Sequence, residues 1–297
     1  MVEVSSLPRT SPSEGRGRGL GRKLRALPLL PMAVLLTVFI IPALFADWLA
    51  LHDPYVPNLK ARLQPPVGFG GDWEYPLGTD RLGRDIYSRI VHGAWYVLAV
   101  SMIGIAVGVV VGTTLGLIAG YVRGWFDGLV MRLVDISLAL PAMLLALALA
   151  AALGASFLSV VIVVGFALWA YFARQVRAEV LLLRNADFVA RSRVAGASHV
   201  RILFRHILPN VTNTIVVLAT LQVGIAIMLD ASLSFLGIGI PRPTPTWGLL
   251  VSDGRDFIAT DWWIAFFPGL AIMLTVLSVN MIGDWLRDTL DPRLRQV

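Results

Sequence analysis

The chain has 297 residues, 57% of them hydrophobic and only 15% charged, with a mean hydropathy of +0.74. Soluble domains carry about 25% charged residues, so this composition excludes an ordinary globular domain and implies an integral membrane protein with several spans. A formal charge of +6 spread along such a chain reflects membrane orientation rather than a nucleic-acid partner, and the lack of cysteine excludes disulfides and thiolate metal sites.

Residues 1–26 are rich in Ser, Pro, Gly and Arg and read as a disordered basic tail. The apolar run 27–48 exceeds the roughly 7–15 residues of a signal-peptide core. It contains Pro31 and Pro42 and ends in Ala46-Asp47-Trp48, so it reads as a retained first helix. Residues 49–92 are mixed and polar, with several prolines and glycines. Five further spans are expected at about 93–119, 128–152, 157–176, 212–236 and 263–284, each long enough for the roughly 20 residues that cross a bilayer core. The uncharged gap at 153–156 makes spans three and four a tight hairpin.

Basic residues set the sidedness. With the N-terminus inside, the inner segments hold 18 of the 25 Lys+Arg, and the outer segments hold 7. The positive-inside rule therefore places both termini in the cytoplasm. The expected fold class is an all-α integral membrane protein with six transmembrane helices. Residues 49–92 are then extracytoplasmic and 285–297 form a cytoplasmic tail.

Several residues stand out along these spans. In span two, Gly104, Gly108, Gly112, Gly116 and Gly120 recur at every fourth position and share one helix face. That stripe fits close packing inside the subunit, or packing against a second one. Ionisable groups at membrane depth mark either function or a structural pair. Asp135, shortly before Pro141 in span three, and Asp230, toward the outer end of span five, leave both readings open. Asp284 neighbours Arg287 and reads as paired, and Asn280 reads as an interhelical hydrogen-bond partner. In the loop after span five, Pro241, Pro243 and Pro245 stiffen a connector or gate, and Trp247 suits the membrane interface. The four histidines contain no H-E-x-x-H, so no metal site is expected. Neither lysine, Lys23 or Lys60, follows a glycine, so no G-x-x-x-x-G-K-[ST] phosphate loop exists in the chain.

The most informative segment is DFVARSRVAGASHVRILFRHILPN, residues 187–210, which lies between two apolar runs on the cytoplasmic side. It divides into helix-like halves, Asp187–Ala195 and His199–Leu208, hinged at Gly196 and stopped by Pro209. His199 and His206, seven residues apart, should share one exposed face.

The spacing of Gly196 and Leu208-Pro209 resembles the EAA loop of type I ABC-importer permeases, although Ala190-Arg191-Ser192 stands in place of Glu-Ala-Ala. Three more blocks resemble permeases for dipeptides, oligopeptides and nickel: YPLGTDRLGRDIYSRIVHGAWYVLAV (75–100), DASLSFLGIGIPRPTPTWGLLVSDGR (230–255) and FFPGLAIMLTVLSVNMIGDWLRDTLDPRLR (266–295). The second carries Asp230 where a glutamate is usual. Together they point to the C-type member of a permease pair.

The resemblance implies a type I transmembrane domain over residues 93–284, in the prokaryotic inner membrane. It implies a coupling segment with Asp187, Arg193, Ala195, Gly196, Ala197, Ser198 and Pro209 at the ATPase contact. Arg191, Arg201 and Arg205 are further candidate contacts or simply positive-inside charges. The implied partners are a second (B-type) permease, two ATP-binding-cassette subunits holding ATP and magnesium, an extracytoplasmic substrate-binding protein and membrane lipid. This chain itself would bind no cofactor. The cargo would be di- or oligopeptides, with nickel or another small solute as the alternative. A membrane-embedded enzyme would need a nucleophile and base or a metal cluster, and a secondary transporter would need inverted repeats; neither signature is visible.

Overall fold

The structure, a computed structural model, describes residues 28–290; the tail expected at 1–26, Leu27 of the first apolar run, and residues 291–297 lie outside it. Every regular element among the described residues is helical apart from two isolated bridges, Val67 with Gly71 and Thr79 with Asp85. In chain order the helices are α1 (Leu29–Leu44), α2 (Ile86–Val122), α3 (Gly124–Ala139), α4 (Ala142–Leu153), α5 (Phe157–Leu183), α6 (Asp187–Val194), α7 (His199–Phe235), α8 (Trp247–Gly254) and α9 (Trp263–Leu290). Short helical turns also occur at Ala46–Leu49, Leu59–Ala61 and Arg255–Phe257.

The six expected spans resolve into four long apolar helices (α2, α5, α7 and α9), one bent pair, and the shorter apolar α1. The expected span 128–152 is not continuous: α3 and α4 meet at 98°. Pro141 supplies no N–H, and it pushes Leu140 to an extended ψ of 137°, which ends the helix. The long helices overrun their apolar cores because polar end turns remain helical. α2 begins at Ile86 rather than 93, with the Asp85 carboxylate accepting the Tyr87 and Ser88 N–H groups. The 153–156 hairpin forms as expected, with Gly154 at φ +79° and the Ser156 hydroxyl accepting the Ser159 N–H at the start of α5.

Pro209 does not stop its helix. The turn Ile202–Ile207 ahead of it is π-helical, and the Leu208 N–H bonds the Leu203 carbonyl. A wider turn makes room for the proline ring, and polar side chains just after it bond back to the carbonyls one turn earlier. Asn210 Nδ2 donates to the His206 carbonyl and Thr212 Oγ1 to the Leu208 carbonyl. α1 repeats the device, with a π turn at Leu35–Ile40 ahead of Pro42.

The parallel pair α2 and α5 forms the spine, Gly104 lying against Val161 and Val164 and Gly120 against Val180. All five stripe glycines face α5 within the subunit, the first of the two readings. A Cβ on Gly112 would lie 2.3 Å from the Trp169 carbonyl oxygen, and one on Gly116 would lie 2.6 Å from that of Ala173. Valine at 112 is therefore expected to destabilise the subunit by about 1–3 kcal/mol. Gly128→Ala in α3, where a Cβ meets nothing within 4 Å, should gain up to about 1 kcal/mol. Thermal unfolding in detergent compares the two; an unchanged transition for Gly112→Val would refute the close packing.

Apolar side chains of α2, α4, α5 and α7 fill the middle of the bundle, including Val100, Val160, Leu168 and Leu233. Trp247 is also internal, which corrects the interfacial placement. It is fully buried beside Phe39, Ala94 and Val97, and its Nε1 donates to the Ile90 carbonyl at 2.8 Å. The loop prolines deliver this indole inward, to a core shared by α1, α2, α7 and α9.

Candidate functional site

The two ends of α2 carry the two polar constructions of the molecule. At its N-terminal end, a buried ionic cluster ties residues 80–89 to α8. The Asp80 carboxylate accepts from Arg84 Nε at 2.8 Å and Arg89 Nη1 at 2.6 Å. Asp253 lies 3.8 Å from Arg89 and pairs with Arg242. The side chains of Asp80, Arg84, Arg89 and Asp253 are all buried. Sequence reading missed this cluster, although the dense charges of TDRLGRD are its signal.

At the other end, residues 187–208 form the expected helical hairpin. α6 closes with paired backbone bonds, Gly196 N–H to the Arg193 carbonyl and Ala197 N–H to the Ser192 carbonyl. This terminator requires a left-handed residue after the helix, and Gly196 sits at φ +79°. Ser198 then caps α7 by accepting the Arg201 N–H. The expected hinge is thus a C-cap followed directly by an N-cap. Asp187 lies in the first turn of α6, where a carboxylate suits the helix N-terminus.

The inward face of the hairpin is apolar. Val189, Ile202 and Ile207 are fully buried against Leu117, Val176, Val180 and Val211. Ala197 also turns partly inward, whereas Ala195, Gly196 and Ser198 are exposed at the apex. The outward face is unexpectedly apolar too: Val194 is 92% exposed, Val200 65% and Phe204 62%. Arg191, Arg193, Arg201 and Arg205 stand exposed around them. These three apolar residues were missed, because among arginines they do not form a run. In the non-consensus stretch, Ala190 and Arg191 face outward, and the Ser192 hydroxyl turns back to the Phe188 carbonyl.

His199 and His206 differ in exposure: His199 is exposed, whereas His206 lies half-buried on the π turn. His199 Nδ1 lies 2.8 Å from the Tyr121 hydroxyl in a hydrogen bond. The Arg193 guanidinium lies 5.6 Å from the centre of the same ring. Arg184 Nη1 donates to the Tyr121 carbonyl at 3.2 Å. Tyr121 was also missed; its only signal is its place directly after the last stripe glycine.

The acidic candidates separate. Asp135 pairs with Arg174 on an exposed surface, and Asp127 accepts two bonds from Arg177, so both pairs fasten α3 to α5. Asp230 is 1% exposed, and its Oδ1 has no hydrogen-bond partner among the described residues. Asp284 is exposed, and among the described residues the expected pairing with Arg287 does not form. Asn280 makes no interhelical hydrogen bond among the described residues; its Oδ1 packs closely on Gly224 of α7. Asn280 instead lines a groove of about 360 Å³ between α4, α7 and α9, with Met143, Met228 and Ser232. No group of three or more metal-binding side chains occurs among the described residues.

What the hairpin end offers is contact: an apolar tip, ringed by cations, on a capped joint continuous with a long helix. Comparison with known proteins identifies the family of the chain. The family described as binding-protein-dependent transport system inner membrane component matches residues 112–296. The dipeptide transport system permease protein DppC of Escherichia coli K12 is 44% identical over 264 residues, covering 89% of this chain and 87% of that protein. The di/tripeptide transport system permease protein DppC of Pseudomonas aeruginosa UCBPP-PA14 is 43% identical over 263 residues, with 88% and 86% covered. A putative peptide transport system permease protein of Brucella suis is 42% identical over 262 residues, with the same shares covered. A solved structure of the MetNI methionine ABC transporter, inward facing, aligns at a TM-score of 0.55 and 17% identity, covering 68% of this chain and 96% of that one. That likeness shows the fold.

Proposed function

The chain belongs to the family of binding-protein-dependent transport system inner membrane components, and on that premise we propose that it is the C-type permease subunit of an ATP-binding-cassette importer for di- and oligopeptides. The membrane is the cytoplasmic membrane of a prokaryote. Six passes put both termini and the 187–208 hairpin inside, with α3–α4 as one broken pass. The relatives' names specify peptides, which favours a peptide cargo over nickel.

The observation that carries the mechanism is the hairpin. Its apolar tip of Val194, Val200 and Phe204, ringed by arginines, suits a cleft with apolar walls and an acidic or carbonyl-lined rim on an ATPase subunit. The chain has no phosphate loop, so ATP and magnesium belong to two such partner subunits. ATP binding there acts by favouring one of two conformations. Because α7 runs unbroken from the hinge to Phe235, movement of the tip is movement of a membrane-crossing helix. The Met143–Met228–Ser232–Asn280 groove faces the second, B-type permease and forms this subunit's wall of the shared path. An extracytoplasmic binding protein delivers the peptide.

Reconstitution with the partner subunits in proteoliposomes tests this reading. Uptake of a labelled dipeptide should require both ATP and the binding protein. Nickel uptake without peptide uptake would overturn the cargo, and ATP-independent uptake by this chain alone would overturn the subunit role.

A further inference from the structure

We propose that Tyr121 is a positioning residue for energy coupling: one ring at the end of α2 holds the two halves of the hairpin at a fixed angle. The inference rests on the reading of 187–208 as the segment that docks on the ATPase.

The two contacts of this ring straddle the hinge. Arg193, the penultimate residue of α6, lies over the ring at 5.6 Å, a distance at which a cation is attracted to an aromatic face. His199, the first residue of α7, is bonded to the hydroxyl at 2.8 Å. Each helix end is capped locally, but no backbone hydrogen bond joins α6 to α7 among the described residues. The angle between them therefore rests on side chains, and Tyr121 touches both sides of Gly196.

The ring itself stands on a fixed platform. Tyr121 is 8% exposed. Its carbonyl is held by Arg184 at the end of α5. A Cβ on the preceding Gly120 would lie 2.8 Å from Val180 Cβ, so α2 and α5 are in direct contact at this level. A tip pushed by the ATPase thus meets a joint braced against the spine of the bundle. Displacement passes into α7 instead of closing the angle at Gly196.

A buried tyrosine that only filled space would tolerate phenylalanine, and this separates the two roles. Tyr121→Phe keeps the ring and the Arg193 contact and removes only the bond to His199. In the reconstituted complex, peptide taken up per ATP hydrolysed should fall roughly threefold to tenfold, the range expected for one lost hydrogen bond. Assembly with the ATPase subunits and basal hydrolysis should remain as in the parent. His199→Phe should reproduce the loss, and the double variant should be no worse than either single one.

Because the chain has no cysteine, spin labels on Arg191→Cys and Arg205→Cys report the hairpin angle directly. Their distance distribution should broaden in Tyr121→Phe. Unchanged coupling and unchanged distances in Tyr121→Phe, or fully additive losses in the double variant, would overturn the proposal. Fully coupled uptake by Gly196→Arg would instead remove the docking reading on which it rests.

Discussion

Arginine at position 196 is expected to leave membrane insertion intact and to reduce ATP-driven uptake by at least about tenfold, the equivalent of about 1.4 kcal/mol, while ATP hydrolysis continues. Two physical effects combine at this residue. Its φ of +79° is a conformation that costs a residue with a Cβ about 1–2 kcal/mol. The site is also open, with nothing within 4 Å of an added Cβ, so a long cationic side chain projects outward from the apex rather than into the subunit. Gly196→Ala separates the effects, since it carries the strain without the bulk and should stay closer to the parent. Uptake and hydrolysis measured on the same proteoliposomes decide the matter. Full peptide uptake by Gly196→Arg would sink the assignment of this apex as the ATPase contact.

The second large effect is predicted at the opposite end of α2. Asp80→Ala should destabilise the subunit by about 3–5 kcal/mol, because it strands two buried guanidinium groups on a single deletion. Arg84 and Arg89 both point at this carboxylate, and the Asp80 side chain is only 2% exposed. The exposed Arg255–Asp256 pair provides the control, and Asp256→Ala should cost less than about 1 kcal/mol. Thermal unfolding of the detergent-solubilised complex reads both. Equal transitions for the two variants would show that the cluster is solvated rather than structural.

The contrast between these ends shows what the sequence could and could not display. Hydropathy located all four long helices, since an apolar run of about 20 residues has few alternatives in a membrane protein. It did not locate their ends, because capping and hydrogen bonding extend a helix beyond its apolar core, as at Asp85 and Leu183. The hinge at Gly196 was legible because a left-handed terminator and a serine cap each have a residue signature. Pro209 was misread for a reason of the same kind. A proline reports a missing donor, but not whether a preceding π turn has accommodated it. The glycine stripe was legible as a packing face, and only coordinates could choose α5 as its partner. Tyr121, Arg89 and Asp253 lay beyond reach, since each matters through a residue distant in the chain.

The unbroken course of α7 has a mechanical consequence. A helix of 37 residues is about 55 Å long at 1.5 Å per residue. Pivoted near its middle, a tilt of about 5° carries each end through roughly 2–3 Å in opposite senses. The hairpin and the loop beyond Phe235 are then opposite arms of one lever, with a ratio near unity. The one irregular stretch in that arm is the π turn at Ile202–Ile207, so elastic loss along the stroke concentrates within a few residues of the tip. With the hairpin docked on an ATPase as proposed, stiffness at that turn, more than contact area at the apex, would set how much of each stroke reaches the far end of α7.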